Sequence, residues 1–174
     1  SIAGALFAQF AQNAGELLKT VNQSNAEFAK TTGQIAERSI GFGYGLSQFG
    51  IGFKELNKAS ADLFVSMSNF SNLNKNTQLE LAESAAKMEL FGISAQTTGK
   101  IMDDLTKGMR MNESQARETN EYIARVAIGI GVAPKKMADD FAAAMPKLQA
   151  YGKQGVEVFA QLEKQAKSLG MQMN

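Results

Sequence analysis

Cysteine and histidine are both missing from the 174 residues. Their absence excludes disulfides, thiolate and imidazole metal sites, cysteine nucleophiles and every histidine-based triad. Proline is nearly absent, with only Pro134 and Pro146 in the chain. No run of Val, Ile and Thr alternates with period two, so nothing marks a strand. No apolar run reaches the roughly 18 residues that a spanning helix needs. Neither sign of charge is in excess: 18 basic and 17 acidic residues leave a net +1. Such a balance provides no overall field to draw in nucleic acid or to repel it.

What remains is 44% apolar residues, enough for a core at this length, and an abundance of Ala, Leu, Met, Gln, Lys and Glu. That composition predicts an all-α protein. The opening Ser1-Ile2-Ala3-Gly4, with no initiator Met and no basic leader, reads as the start of an excised or processed piece of a longer chain. A cysteine-free chain suits a cytosolic protein and a virion component equally.

Three regions are expected. The first, residues 1–40, carries a heptad pattern with Phe7, Ala14, Val21, Phe28 and Ile35 at position a and Phe10, Leu17, Ser24, Thr31 and Arg38 at position d. A long coiled-coil-like helix from Phe7 to Arg38 would run about 50 Å, too far to bury a narrow stripe against a small domain throughout. The seam Phe7, Phe10, Ala14, Leu17, Val21, Phe28 and Ile35 therefore predicts a homo-oligomer, with a helix lying along its own bundle as the competing arrangement. Residues 41–52 form the second region, a Gly-rich hinge: Gly41, Gly43, Gly45, Gly50 and Gly52 each cost a helix roughly 1 kcal/mol relative to Ala. Its glycines lack the preceding strand and Lys-Ser/Thr spacing of a phosphate loop. Phe42, Tyr44 and Phe49 between them are candidates for packing, partner or lipid contact.

The third region, residues 53–174, repeats itself. Gly92-Ile93, Gly131-Val132 and Gly170-Met171 recur every 39 residues, each after an apolar residue. A second set agrees more loosely: Ala61-Asp62-Leu63 with Met67, Asp103-Asp104-Leu105 with Met109, and Asp139-Asp140-Phe141 with Met145, spaced 42 and 36 apart. The unit this predicts is a helical hairpin. Helices are expected near 53–72, 76–90, 94–108, 112–129, 133–146 and 153–169. Asn76, Ser94 and Asn112 are the expected N-caps, and Gly92, Gly108, Gly131 and Gly152 the expected left-handed ends. Pro134 should open its helix and Pro146 end or kink it. The expected core holds Leu79, Met88 and Leu90; Ile101, Leu105 and Met109; Ile123, Val126 and Ile130; Met137, Phe141 and Met145; Val158, Leu162 and Leu169.

Chemistry finds little footing. Adjacent carboxylates such as Asp103/Asp104 and Asp139/Asp140 splay about 100° apart on a helix and suit ion pairs with Lys100, Lys107, Lys135 or Lys136 better than acid–base work. Basic stretches at 135–136, 147–153 and 164–167 are interrupted by acids, which disfavours direct contact with DNA. No catalytic, cofactor or metal residue is assigned, and an enzyme is not expected.

The phrasing Phe91-Gly92-Ile93-Ser94, Gly131-Val132-Ala133-Pro134, Asp140 to Leu148, Tyr151-Gly152, Val158 to Leu162 and Leu169-Gly170-Met171 resembles the helical segments of bacteriophage tail tape-measure proteins, over about residues 55–174. The resemblance implies a non-enzymatic virion protein of the tail lumen or tip, present in the host cytoplasm during assembly. It would act in tail-tube length determination, tail assembly and genome ejection. Its partners would be further copies of itself, such as a trimer, the tail tube, tip or chaperone proteins, and a membrane during ejection. The chain is far shorter than a tail-measuring protein, so the resemblance implies a fragment. Two alternatives stand beside it: a membrane-active, channel-forming ejection protein, and a soluble α-hairpin adaptor.

Overall fold

The computed structural model describes residues 51–170, and every element among them is helical. The predicted seam (Phe7, Phe10, Ala14, Leu17, Val21, Phe28, Ile35), the glycines at 41, 43, 45 and 50, and Phe42, Tyr44 and Phe49 lie outside the described residues. The chain divides into two compact units, Ser1–Ala61 and Asp62–Asn174. In the first, Gly52 opens α1 (Phe53–Ser66): its N–H donates to Glu55 Oε2 at 2.9 Å and its carbonyl accepts the first helical bond from Leu56. A carboxylate reaching back three residues in this way satisfies a donor that a helix start otherwise leaves orphaned.

The second unit contains the last turn of α1 and five complete helices: α2 (Lys75–Glu89), α3 (Ala95–Gly108), α4 (Glu113–Ile130), α5 (Pro134–Leu148) and α6 (Gly155–Ser168). Helix α1 stops at Ser66, six residues short of the expected 72. Ser66 Oγ bonds back to the Asp62 carbonyl at 2.6 Å, and the N–H of Ser68 leaves the helical ladder for Asp103 Oδ1. Local hydroxyl bonds of this kind compete with helix propagation. A 3-10 turn over Phe70–Asn72 follows, held by the Gln78 amide donating to the carbonyls of Phe70 and Leu73. Asn74 rather than Asn76 then caps α2, accepting from the Thr77 N–H.

The remaining ends follow their local chemistry. Ser94 caps α3, and Asn112 with Gln115 forms a full capping box on α4. Gly92 at φ +82°, Gly131 at +73° and Gly170 at +66° take the left-handed conformation that lets the chain leave a helix without a Cβ clash. Gly108 does not. It is helical, and the left-handed residue beyond α3 is Arg110 at φ +55°. Gly108 is small for another reason, since a Cβ there would run into the Gln149 side chain. Pro134 opens α5 as expected, while Pro146 is followed by two more helical residues before the 3-10 stretch Gln149–Gln154.

From α2 onward neighbouring helices pack in sequence, and helices two apart also pack: α3 on α5, α2 on α4, and α4 on α6. From α2 on, the helices thus form two rows, α2, α4 and α6 in one and α3 and α5 in the other. Burial follows the 39-residue period at several positions. Leu63, Met102 and Phe141 are buried at one position of the first helices, and Leu81, Asn120 and Phe159 at one position of the second helices. Ala85, Ala124 and Glu163 share another. The aspartate set, spaced 42 and 36, is not the structural repeat: the 39-residue equivalent of Leu63 and Phe141 is Met102, not Leu105. A three-residue slip along a helix returns to nearly the same face, so Leu105 and Met109 are buried all the same. Leu90, Leu162 and Leu169, expected in the core, are 58%, 43% and 71% exposed. Leu79, Ile130 and Val158 are half-buried.

Candidate interaction surface

Hydrogen bonds between hairpins join side chains 34 to 38 residues apart, close to one period. Gln96 donates to Asp62, and Ser68 donates through both N–H and hydroxyl to Asp103 Oδ1 at 3.0 and 2.9 Å. Ser84 donates to Glu121, Tyr122 to Glu157 Oε2 at 3.1 Å, and Lys153 to Gln115 Oε1 at 3.1 Å. Each stitches one layer of the stack to the next, and none was legible in the sequence. The signal that would have found them is polar residues one repeat apart on facing helices.

Three of the four paired aspartates bridge to lysines on their own helices. Lys107 bridges to Asp103 at 2.8 Å, Lys135 to Asp139 at 2.6 Å and Lys136 to Asp140 at 2.6 Å, all four residues apart. Exposed pairs at this spacing add only about 0.3–0.5 kcal/mol each. Burial pushes the Asp103 carboxyl up, but hydrogen bonds from Lys107 and Ser68 outweigh it and hold the group below its usual range. Asp104 has no such donors, and burial leaves its carboxyl raised. Among the described residues no three acidic side chains gather closely enough to hold a metal ion, and no helix is long and apolar enough to cross a membrane.

One group stands apart. Glu163 on α6 is 5% exposed, at a position that is alanine in the two preceding hairpins. Its Oε1 has no hydrogen-bond partner, and burial together with nearby Asp140 raises its pKa against the opposing pull of Lys136. Asn120 carries a similar cost, with its amide nitrogen buried and unpaired where Leu81 and Phe159 stand in the other hairpins. The conventional price of such groups is desolvation without a compensating bond.

The outer side of α6 carries an open groove of about 430 Å³ lined by Gln154, Glu157, Val158, Gln161, Leu162 and Gln165. Two apolar side chains flanked by three amides and a carboxylate suit a helix that brings both apolar contact and polar donors. Glu157 is held below the usual carboxylate range by hydrogen bonds from Gln161 and Tyr122. Of the residues singled out from sequence, the structure brings Val158 and Leu162 to this groove, Leu169 lies exposed at the end of the same helix, and Gly52 lies at the start of α1. The sequence places Val158 and Leu162 in the core, and the structure places them in this groove instead.

The arrangement defines the class: every element among the described residues is helical, and α2 to α6 pack in two rows. Beyond that class the chain matches no family model, no curated protein and no solved structure.

Proposed function

We propose that this chain is a non-enzymatic structural and assembly protein, a helical-hairpin scaffold of the kind found in the helical segments of phage tail tape-measure proteins. The observation that carries the reading is the stack itself. Helices α2 to α6 pack in two rows with a 39-residue register, an arrangement that offers extended surface to other proteins. Two of the segments that carry the resemblance, Phe91-Gly92-Ile93-Ser94 and Gly131-Val132-Ala133-Pro134, lie at the connections from α2 to α3 and from α4 to α5. On this reading the Phe7, Phe10, Leu17 and Val21 seam holds copies in register in a virion tail or tip, and the hairpins meet tube, tip or chaperone proteins.

The test is the solution mass of the full chain by light scattering, beside a variant carrying Leu17→Lys and Val21→Lys. The reading expects a defined oligomer, such as a trimer, that falls to monomer in the variant. A monomeric parent chain would sink it. The groove on α6 favours a second reading in that event, an adaptor that captures a partner helix.

A further inference from the structure

The groove on α6 has a counterpart inside the stack. One period earlier, its residues Gln154, Glu157, Val158, Gln161, Leu162 and Gln165 correspond to Gln115, Glu118, Thr119, Tyr122, Ile123 and Val126 on α4. That face of α4 is where the third hairpin sits. Gln115 accepts from Lys153, Tyr122 donates to Glu157, and Ile123 and Val126 are buried. On α6 the counterpart of Ile123 is Leu162, 43% exposed. The turn beyond α6 also repeats: Gly170, like Gly92 and Gly131, is left-handed, and each of the earlier two leads the chain into the next hairpin.

We infer that the outer face of α6 is a docking surface for one more helical hairpin of the same 39-residue register, entering directly after Gly170. The interface is the continuation of the one between α4 and α6. Its polar roles are retained in kind. The Gln154 amide oxygen stands where Gln115 receives an ammonium. The Gln161 amide, which already donates to Glu157 on its own helix, stands where the Tyr122 hydroxyl donates to a carboxylate. The incoming second helix therefore carries a lysine at its start and a carboxylate four residues on, the spacing of Lys153 and Glu157, with apolar or small residues between to cover Val158 and Leu162. Burial of Leu162, as of Ile123, supplies the apolar part of the contact.

The inference rests on the stacked-scaffold reading, and its test separates the two. A copy of residues 132–170 is joined directly after Gly170 of the otherwise full chain, which brings a second Lys153 and Glu157 to the α6 face. Amide hydrogen exchange is then read on α6 in the extended and parent chains. The expected result is exchange slowed about tenfold or more over residues 158–166, reversed by Leu162→Lys, a change that a side chain already part-exposed tolerates. Unchanged exchange on α6 would overturn the inference, and so would slowing that survives Leu162→Lys. A parent chain whose solution mass drops on Leu162→Lys alone would overturn it as well, by assigning the face to a second copy. The scaffold reading stands or falls separately, on the Leu17→Lys, Val21→Lys variant.

Discussion

Gly99 in α3 lies against the last turn of α1, and its replacement by Ala sets two effects of known sign against each other. Alanine is worth about 1 kcal/mol over glycine in a helix interior. Gly129 in α4 has nothing within 4 Å of where a Cβ would stand, so Gly129→Ala should realise most of that gain. At Gly99 the new Cβ would collide with Ser66 Oγ and lie 3.1 Å from both Ser66 Cβ and Leu63 Cδ2. Clearing the collision means rotating the Ser66 hydroxyl away from its 2.6 Å bond to the Asp62 carbonyl, a loss of about 1 kcal/mol. The two remaining close approaches press the helices apart, and overpacking of this sort costs about 1–3 kcal/mol. Steric cost wins, and Gly99→Ala should destabilise the chain by about 1–3 kcal/mol while Gly129→Ala stabilises it. Adding Ser66→Ala removes the colliding oxygen, so the double variant should be more stable than the sum of the singles by about 1 kcal/mol. Urea unfolding of the parent, the three single variants and the double, followed by circular dichroism, gives the midpoints, with constant m-values as the sign that only stability has changed. A Gly99→Ala chain as stable as Gly129→Ala, or strict additivity with Ser66→Ala, would refute the close approach of Leu63 and Ser66 to α3.

Glu163→Gln should stabilise the chain at neutral pH. The folded-state pKa of Glu163 is raised above its ordinary value of 4.5, so its contribution is fully present below about 4.5 and is lost as pH rises through the folded value. Thermal melts of parent and variant should therefore converge near pH 4 and separate towards pH 7; parallel curves across that range would contradict the burial of this carboxyl. Asn120→Leu restores the apolar residue that Leu81 and Phe159 supply at the same repeat position and removes an unpaired buried amide, for an expected gain of about 1 kcal/mol in urea unfolding. Ala133 begins α5 with no side-chain cap, although its counterpart Ser94 caps α3, so Ala133→Ser should add about 0.5–1 kcal/mol, read as a rise in melting temperature.

Much of the stack was legible in the sequence because its cues are local. Glycine at the left-handed positions 92, 131 and 170, Ser94 and Asn112 at helix starts and Pro134 at a first turn each act within a few residues, and the structure places each where its chemistry predicts. The end of α1 is not legible because a serine hydroxyl can serve its own helix, as Ser66 does on the Asp62 carbonyl, or a distant acceptor, as Ser68 does on Asp103. Arg110 was missed for a similar reason. Nothing in the sequence around Gly108 says that the Gln149 side chain needs the room.

The errors about the core have a common physical origin in the repeat. Helical periodicity finds the faces that a hairpin can bury, but whether a face is buried depends on whether another hairpin follows. Ile123 and Leu162 occupy the same position of successive hairpins; one is buried beneath its neighbour and the other is 43% exposed. The same logic explains why the aspartate set misled. Leu105 and Phe141 share an apolar face with their neighbours one turn away, so a pattern slipped by three residues still selects buried side chains. Only the two-row packing, in which α2, α4 and α6 follow one another and α3 lies beside α5, distinguishes the true period of 39 from spacings of 42 and 36. The register of the stack is thus a tertiary property written on locally ambiguous helices. For that reason the α6 face, which looks like core in the sequence and like surface in the fold, is where the chain's interactions are best sought.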